Sequence, residues 1–396
     1  MSEAIDKLTL GDLVNFKRGY DLPHRDREKG SIPIISSSGL TGWHKKSMAK
    51  APGVVTGRYG TLGEVFYIEK DYWPLNTSLY VQDFKTNNPK FIYYYLKTVL
   101  NENFNSAGAV PGVNRNYLHK IKVPPVPKDQ KKIAVILSAY DDLIENNKRR
   151  IALLENMAEE IYREWFVRFR FPGYQTTEFE KGIPKGWEVV KIKEIASFLY
   201  GYTESSCKDD SLPKFLRVMD INKGSFVAWG KVPNCPIDEI KFNKYQLNKN
   251  DIVIARMADP GKVAIIEKKV KAVFASYLIK IEYSKEKITP YYFFYTMRSD
   301  SLAKNFSNAN SGSTRGSINA QAIGNMFILL PPLSLMENFE KIIMPLRSQV
   351  SHLDIQNEKL EKIKNMLLPR LISGKLSVEN LDIRFPPSMQ TTVEAE

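Results

Sequence analysis

The amino-acid sequence predicts an α+β protein made of one unit used twice: two mixed α/β blocks separated by two long antiparallel coiled-coil helices, a pseudo-two-fold internal repeat. Three observations predict it. The first is the repeat. "LGDLVNFKRGY" (10–20) returns as "IKEIASFLYGY" (192–202), and "GVVTGRYGTLGEVFYI" (53–68) returns as "DIVIARMADPGKVAII" (251–266), pairing Arg58 with Arg256 and Gly63 with Gly261. "NPKFIYYYL" (88–96) answers "TPYYFFYTM" (289–297), and "VNRNYLHKIKVPP" (113–125) answers "INAQAIGNMFILLPP" (318–332). The second is that each copy closes on a double proline followed by an apolar heptad pattern, in "VPPVPKDQKKIAVIL" (123–137) and "LLPPLSLMENFEKII" (329–343). The third is charge: residues 1–127 carry 17 basic against 11 acidic side chains and 186–332 carry 21 against 14, whereas 128–185 (11 against 10) and 333–396 (8 against 9) are nearly neutral.

Taken in order, residues 1–127 form the first block. Short apolar runs such as "GEVFYI", bounded by Gly, Asn and Pro, read as strands, and "NPKFIYYYLKTVL" reads as a helix whose tyrosines pack into the core rather than stack on bases. Residues 128–170 form the first long helix and 171–185 a linker; 186–332 form the second block, 333–375 the second long helix and 376–396 a tail. The first helix shows a seam at alternating steps of four and three: Ile133, Leu137, Tyr140, Ile144, Asn147, Ile151, Leu154, Ala158, Ile161 and Trp165. The second reads Ile342, Leu346, Gln349, Leu353, Gln356, Leu360, Ile363 and Leu367. A constant offset of 209 superimposes Asn147 on Gln356. Polar residues in an apolar seam cost stability and fix register, so antiparallel pairing about the helix midpoints is expected to set Asn147 against Gln356.

Composition narrows the class. A chain of 396 residues, 43% hydrophobic and 26% charged, has ample core and excludes wholesale disorder. Cys207 and Cys235 are too few for a disulfide framework and point to a reducing compartment. "MSEAIDKLTL" lacks a signal pattern and no apolar stretch approaches the roughly 18 residues of a membrane helix, so a cytoplasmic protein without membrane contact is expected. The net charge of +13, concentrated in the two blocks, points to nucleic acid, because Lys and Arg neutralise phosphates.

Chemistry-bearing motifs are sparse. The Pro-Pro pairs stand in "VPPVP", "LPPLS" and "FPPSM", none of which is the Asn/Asp-Pro-Pro-aromatic motif of a DNA amino-methyltransferase. There is no Gly-x-Gly-x-x-Gly or Walker sequence, so no cofactor is expected. Histidines 24, 44, 119 and 352 are too scattered for a metal site. Asp238, Glu239 and Lys241 in "PIDEIK" are what a nuclease reading would cite, and a short charged turn is the commoner reading. A single-chain nuclease or methyltransferase, and a helical assembly scaffold that does not touch DNA, are the alternatives to a non-catalytic DNA reader.

Two basic blocks, each ending in a Pro-Pro exit ("KVPPVPKDQKKIA", "LLPPLSLMENFEKI") and a heptad helix, resemble the specificity subunit of type I restriction–modification systems over roughly residues 8–385. The resemblance implies no active site: each block would be a target recognition domain reading half of a bipartite DNA target. It implies that the helices dock two copies of a methyltransferase subunit, which a motor and nuclease subunit joins. One departure from the family is that Gln130 of the first exit aligns with Phe339 in the second. Contact candidates lie in loops: Arg58 and Tyr59 in "TGRYGTLG", and Arg256 in "ARMADPG". Because Arg58 and Arg256 are shared by blocks that should read different sequences, they suit phosphate contact or scaffolding better than base readout. Unshared candidates are Ser36, Ser37, Ser38, Trp43, His44, Lys45 and Lys46 in the first block, and Arg217, Asp220, Asn222 and Lys223 in the second. Asn114 and Arg115, with Ser313, Thr314 and Arg315, precede the helices and complete the set of DNA-binding candidates.

Overall fold

The computed structural model describes residues 8–58, 63–105, 113–221, 224–310 and 316–386, which form two compact units: residues 1–145 with 359–396, and residues 146–358. The sequence-based division set the long helices apart from the blocks. In the structure each unit joins one block to a segment of both helices.

The first unit runs through α1 (Leu10–Leu13), β1 (Asn15–Arg18), β2 (Ile32–Ser36), β3 (Gly39–His44), β4 (Gly53–Gly57), β5 (Val65–Ile68), β6 (Trp73–Pro74), β7 (Ser78–Asp83), α2 (Pro89–Asn105) and α3 (Arg115–His119), and takes in the first part of α4 (Gln130–Tyr162). One antiparallel sheet has strand order β1-β7-β4-β5; a second, β3-β2-β6, pairs β2 with β6 in parallel. The tyrosines of α2 are core, as the sequence predicts: Tyr94 and Tyr95 are buried, and their hydroxyls donate to Asp141 at 2.7 Å and to the Pro124 carbonyl at 2.5 Å.

The second unit follows α4 through β8 (Phe179–Glu180), β9 (Ile183–Pro184), β10 (Glu188–Lys191), β11 (Ala196–Tyr200), β12 (Lys214–Leu216), α5 (Val218–Ile221), α6 (Glu239–Tyr245), β13 (Ile252–Ala255), β14 (Val263–Ile265), β15 (Ala272–Phe274), β16 (Leu278–Tyr283), α7 (Pro290–Arg298), α8 (Asp300–Asn310), α9 (Ala320–Gly324) and β17 (Phe327–Leu330) into α10 (Leu333–Ile372). Its main sheet, β11-β16-β13-β14, repeats the first order strand for strand, and β12 pairs with β15 in parallel as β2 does with β6. The repeat extends to single hydrogen bonds. The Arg58 and Arg256 amides donate to the carbonyls of Thr77 (3.0 Å) and Tyr277 (2.9 Å), while Val113 and Ile318 donate to the carbonyls of Arg58 and Arg256, both at 2.9 Å. Gly63 and Gly261 take φ of 84° and 89° in the equivalent hairpins, where a side chain would be strained. Gly19 and Gly201 are required for space: a Cβ would stand 2.1 Å from the Leu75 carbonyl oxygen and 2.2 Å from that of Ala275.

The helix segments run antiparallel within each unit. In the first, Lys364 pairs with Asp141 at 2.5 Å, and Ile133 and Leu137 share a core with Leu371 and Ile372. In the second, Ile151 packs with Val350 and Leu353, and Tyr162 lies against Phe339. The first seam is buried at Ile133, Leu137, Ile144, Asn147, Ile151, Ala158 and Trp165. The second is displaced by one residue from the expected one. Of the expected row Leu353 is buried and Leu346, Leu360 and Leu367 are half-buried, but Ile342 and Ile363 are 41% and 44% exposed and Gln349 and Gln356 are exposed, whereas Phe339, Ile343, Arg347, Val350, Asp354 and Asn357 are buried. Asn147 therefore meets Asn357, its Nδ2 donating to Oδ1 at 3.0 Å, and Gln356 does not fix the register. The reason is that this seam carries Arg347, Asp354 and Asn357, so a search for Leu and Ile slips onto the adjacent row. The helices match at an offset of 210, which also explains the Gln130 departure. Gln130 Oε1 accepts the Asn88 amide at 2.8 Å ahead of α2, and Glu340, not Phe339, accepts the Tyr291 amide at 2.7 Å in α7.

Arg347 is the largest fully buried side chain of the described residues. Its Nε and Nη2 each donate to Glu267 at 2.8 Å and Nη2 also reaches the Ser225 carbonyl at 2.9 Å, while Nη1 bonds the Ser225 hydroxyl. Ser225 in turn donates its amide to Glu155 at 3.0 Å. A buried charge must be paired and hydrogen-bonded, and this one ties the second block to both helix segments of its unit.

Candidate nucleic-acid interface

In the first block, β1 and the start of α3 border a groove of about 610 Å³ lined by Lys17, Arg18, Arg58, Asn114 and Arg115, with Asp21 the one carboxylate among its described lining residues. The β1–β7 pairing sets Lys17 opposite Tyr80 and Arg18 opposite Leu79, and the Val113 amide bond to Arg58 draws the third and fourth cations together. Two neighbouring groups titrate below their ordinary values. A hydrogen bond from the Tyr80 side, with the Lys17 ammonium next, holds the Tyr20 phenol below its ordinary value; the ammonium stands 5.4 Å from the ring. Burial, then Arg115 and Lys85, holds the His119 imidazole below its usual value, and its Nε2 accepts the Phe16 amide at 2.9 Å. Arg58 and Arg115 were sequence candidates. Lys17 and Arg18 were missed because they sit inside a segment read only as a repeat anchor; the signal was that the second copy has Leu199 and Tyr200 there.

The second block furnishes the same place differently. The Arg256 guanidinium lies 4.9 Å over the Tyr200 ring, and the Tyr200 hydroxyl accepts the Ala320 amide at 3.1 Å. Arg256 Nε is buried with no hydrogen-bond partner.

The other candidates separate by burial. On β3, strand alternation turns His44 inward and Trp43 outward. His44 is 3% exposed, accepts the Glu28 amide through Nδ1 at 3.0 Å and meets the Trp73 ring edge-on, so it is a core residue and not a surface contact. Ser36 is also buried and shapes its own turn, donating to the Gly39 carbonyl at 3.2 Å. Trp43 (52% exposed), Ser38, Lys45 and Lys46 face solvent, with Ser37 half-buried; Ser37 and Ser38 stand at the β2–β3 turn and Trp43, Lys45 and Lys46 at the other end of that hairpin. In the second block, Arg217 directs Nε and Nη2 at Asp220, both at 3.0 Å, so its guanidinium fork is committed to that carboxylate. Asn114 accepts the Tyr117 amide at 2.9 Å and Asn319 the Ala322 amide at 2.8 Å: both cap equivalent short helices, a scaffold role the sequence did not suggest for Asn114. Tyr59, Asn222, Lys223, Ser313, Thr314 and Arg315 lie outside the described residues.

Among the described residues no cluster of His, Cys, Asp or Glu could hold a metal ion, and no helix is long and apolar enough to cross a membrane. The acidic turn "PIDEIK" has a local explanation: Asp238 caps α6, accepting the Lys241 amide at 2.8 Å and pairing with its ammonium at 3.0 Å.

The comparisons with known proteins agree on one family. The model of the type I restriction modification DNA specificity domain matches residues 3–156 and 184–365. The chain is 29% identical over 333 residues to the type I restriction enzyme MjaIX specificity subunit of Methanocaldococcus jannaschii, covering 78% of this chain and 74% of that one. It is 27% identical to the MjaVIII specificity subunit of the same organism, covering 81% and 78%. The fold resembles the crystal structure of a type I restriction–modification S subunit from M. genitalium with a TM-score of 0.58, at 15% identity and over 92% of this chain and 95% of that one.

Proposed function

Because the chain belongs to the type I restriction–modification DNA specificity family, in which it is a subunit for target recognition and not a catalyst, we propose that each block reads one half of a bipartite DNA target while the two long helices dock two methyltransferase subunits. A motor and nuclease subunit would join that assembly for restriction. The observation that carries this reading is the three-dimensional repeat: one sheet order occurs twice, with the same backbone hydrogen bonds around Arg58 and Arg256, yet the side chains presented beside those arginines differ. A shared frame with divergent surfaces suits two readers of different sequences. The neutral charge of the helix segments, against basic blocks, suits protein contact along the helices.

The division of labour follows. Basic side chains of each block contact phosphates and set its position, while exposed unshared side chains such as Trp43, Lys45 and Lys46 reach base edges. The direct test is methyl transfer to duplex DNA by the purified chain alone and with its methyltransferase subunit. The chain alone is expected to transfer nothing, and the mixture to modify a discrete sequence. Transfer by the chain alone, or a mixture whose sequence preference does not depend on the chain, would refute the reading.

A further inference from the structure

We propose that the groove beside Gly19 is a binding site for DNA-backbone phosphate that the first block has and the second lacks, so that the two readers grip the duplex unequally. The inference rests on the reading of the chain as a DNA-recognition subunit and adds to it a site and an asymmetry.

The frame of the groove is the same in both blocks, so the comparison is residue for residue. Gly19 and Gly201 press against equivalent carbonyls, Tyr20 and Tyr202 donate their amides to the carbonyls of Pro74 and Phe274, both at 2.8 Å, and Arg58 and Arg256 hold matching positions. Into this frame the first block places Lys17, Arg18 and Arg115; at the corresponding positions the second places Leu199, Tyr200 and Ala320. In the second block the Tyr200 ring lies against the Arg256 guanidinium and its hydroxyl bonds the Ala320 amide, while Arg256 Nε is buried and unbonded. In the first, four cations converge on one groove against a single carboxylate among its described lining residues, Asp21, which accepts the Asn76 side-chain amide. Like charges gathered in this way repel one another, and an entering anion relieves that repulsion. A phosphate diester offers the matching charge, and guanidinium groups suit its oxygens. The groups that would contact it carry donors but almost no acceptors, which favours a phosphate over the mixed pattern of a base edge.

The test uses the full-length chain and two short duplexes of unrelated defined sequence, with affinity measured by fluorescence anisotropy from roughly 50 to 200 mM salt. The variant K17L/R18Y/R115A gives the first block the side chains of the second. Each lost phosphate contact lowers the slope of log K against log salt by about 0.9. The triple variant is therefore expected to lose about 2–3 from the slope and on the order of tenfold or more in affinity, equally on both duplexes. R115A alone, at an exposed position, is expected to lose about 1 and stands in if the triple variant folds poorly. K285A/K287A/K304A removes the same charge from exposed positions of the second block and is expected to leave the slope nearly unchanged. An unchanged slope in the triple variant and R115A, a loss confined to one duplex, or an equal loss in the control would each overturn the proposal. A wild-type chain that bound neither duplex would overturn the DNA-recognition reading itself, and this inference with it.

Discussion

Replacing Arg347 with Met tests what holds the second block to its helix segments. The arginine is 1% exposed and its chief partner Glu267 is 12% exposed, so the substitution strands a nearly buried carboxylate. Removing one partner of a buried pair costs about 3–5 kcal/mol. The low end applies here, because Glu267 loses the two arginine bonds at 2.8 Å but keeps the Tyr291 hydroxyl at 3.1 Å. At roughly 2–4 °C per kcal/mol for a unit of this size, the melting transition of residues 146–358 should fall by about 6–12 °C. R347M/E267M, which removes both charges and fills the volume, should recover to within about 1 kcal/mol of the wild type or exceed it. Thermal and urea unfolding of the full-length chain, followed by intrinsic fluorescence with Trp165, Trp187 and Trp229 as reporters in that unit, measures the cycle. A loss below about 1 kcal/mol in R347M, or a double variant as unstable as the two single losses added together, would refute the buried-pair account.

Further outcomes are expected elsewhere. Asn357→Ala should cost about 1–3 kcal/mol by leaving the buried Asn147 amide unbonded, while the exposed Gln356→Ala should stay within about 0.5 kcal/mol; equal effects in urea unfolding would return the register to Gln356. Gly19→Ala and Gly201→Ala should each destabilise their own block by about 1–3 kcal/mol or more, since the added carbon meets rigid backbone, and hydrogen exchange that shows no local loss would contradict the packing. His119 has a folded-state pKa below its ordinary 6.5, so the stability it contributes is present above 6.5 and is lost as pH falls through the folded value. The wild type should therefore lose more stability than His119→Gln between about pH 7.5 and 5.5, because protonation of Nε2 abolishes its acceptance of the Phe16 amide; identical losses would exclude this role.

The architecture was legible because the repeat is written in features that the backbone demands. Gly63 and Gly261 mark a left-handed turn, Gly19 and Gly201 a close approach, and the aromatic runs the core helices, so aligned letters mean aligned structure. The second helix was read one residue off because hydrophobic periodicity cannot anticipate a seam that buries Arg347, Asp354 and Asn357; Arg347 finds its partner in Glu267, far along the chain, and Asn357 in Asn147 on the other helix. Site residues were the least legible. His44 and Ser36 look like polar loop residues in sequence, and only the alternation and turn geometry of β2 and β3 show that they point inward. Lys17 and Arg18 gain meaning only when folding carries Arg58 and Arg115 to them.

The central claim, two readers for two half-sites, is tested most directly by mapping modified bases across the genome of cells that express the methyltransferase subunit with this chain, and with a chain whose residues 186–332 come from a related specificity subunit. A two-part motif with a fixed gap is expected, of which one half changes in the exchanged chain while the other half and the gap persist. A continuous motif, or an exchange that alters both halves together, would contradict it.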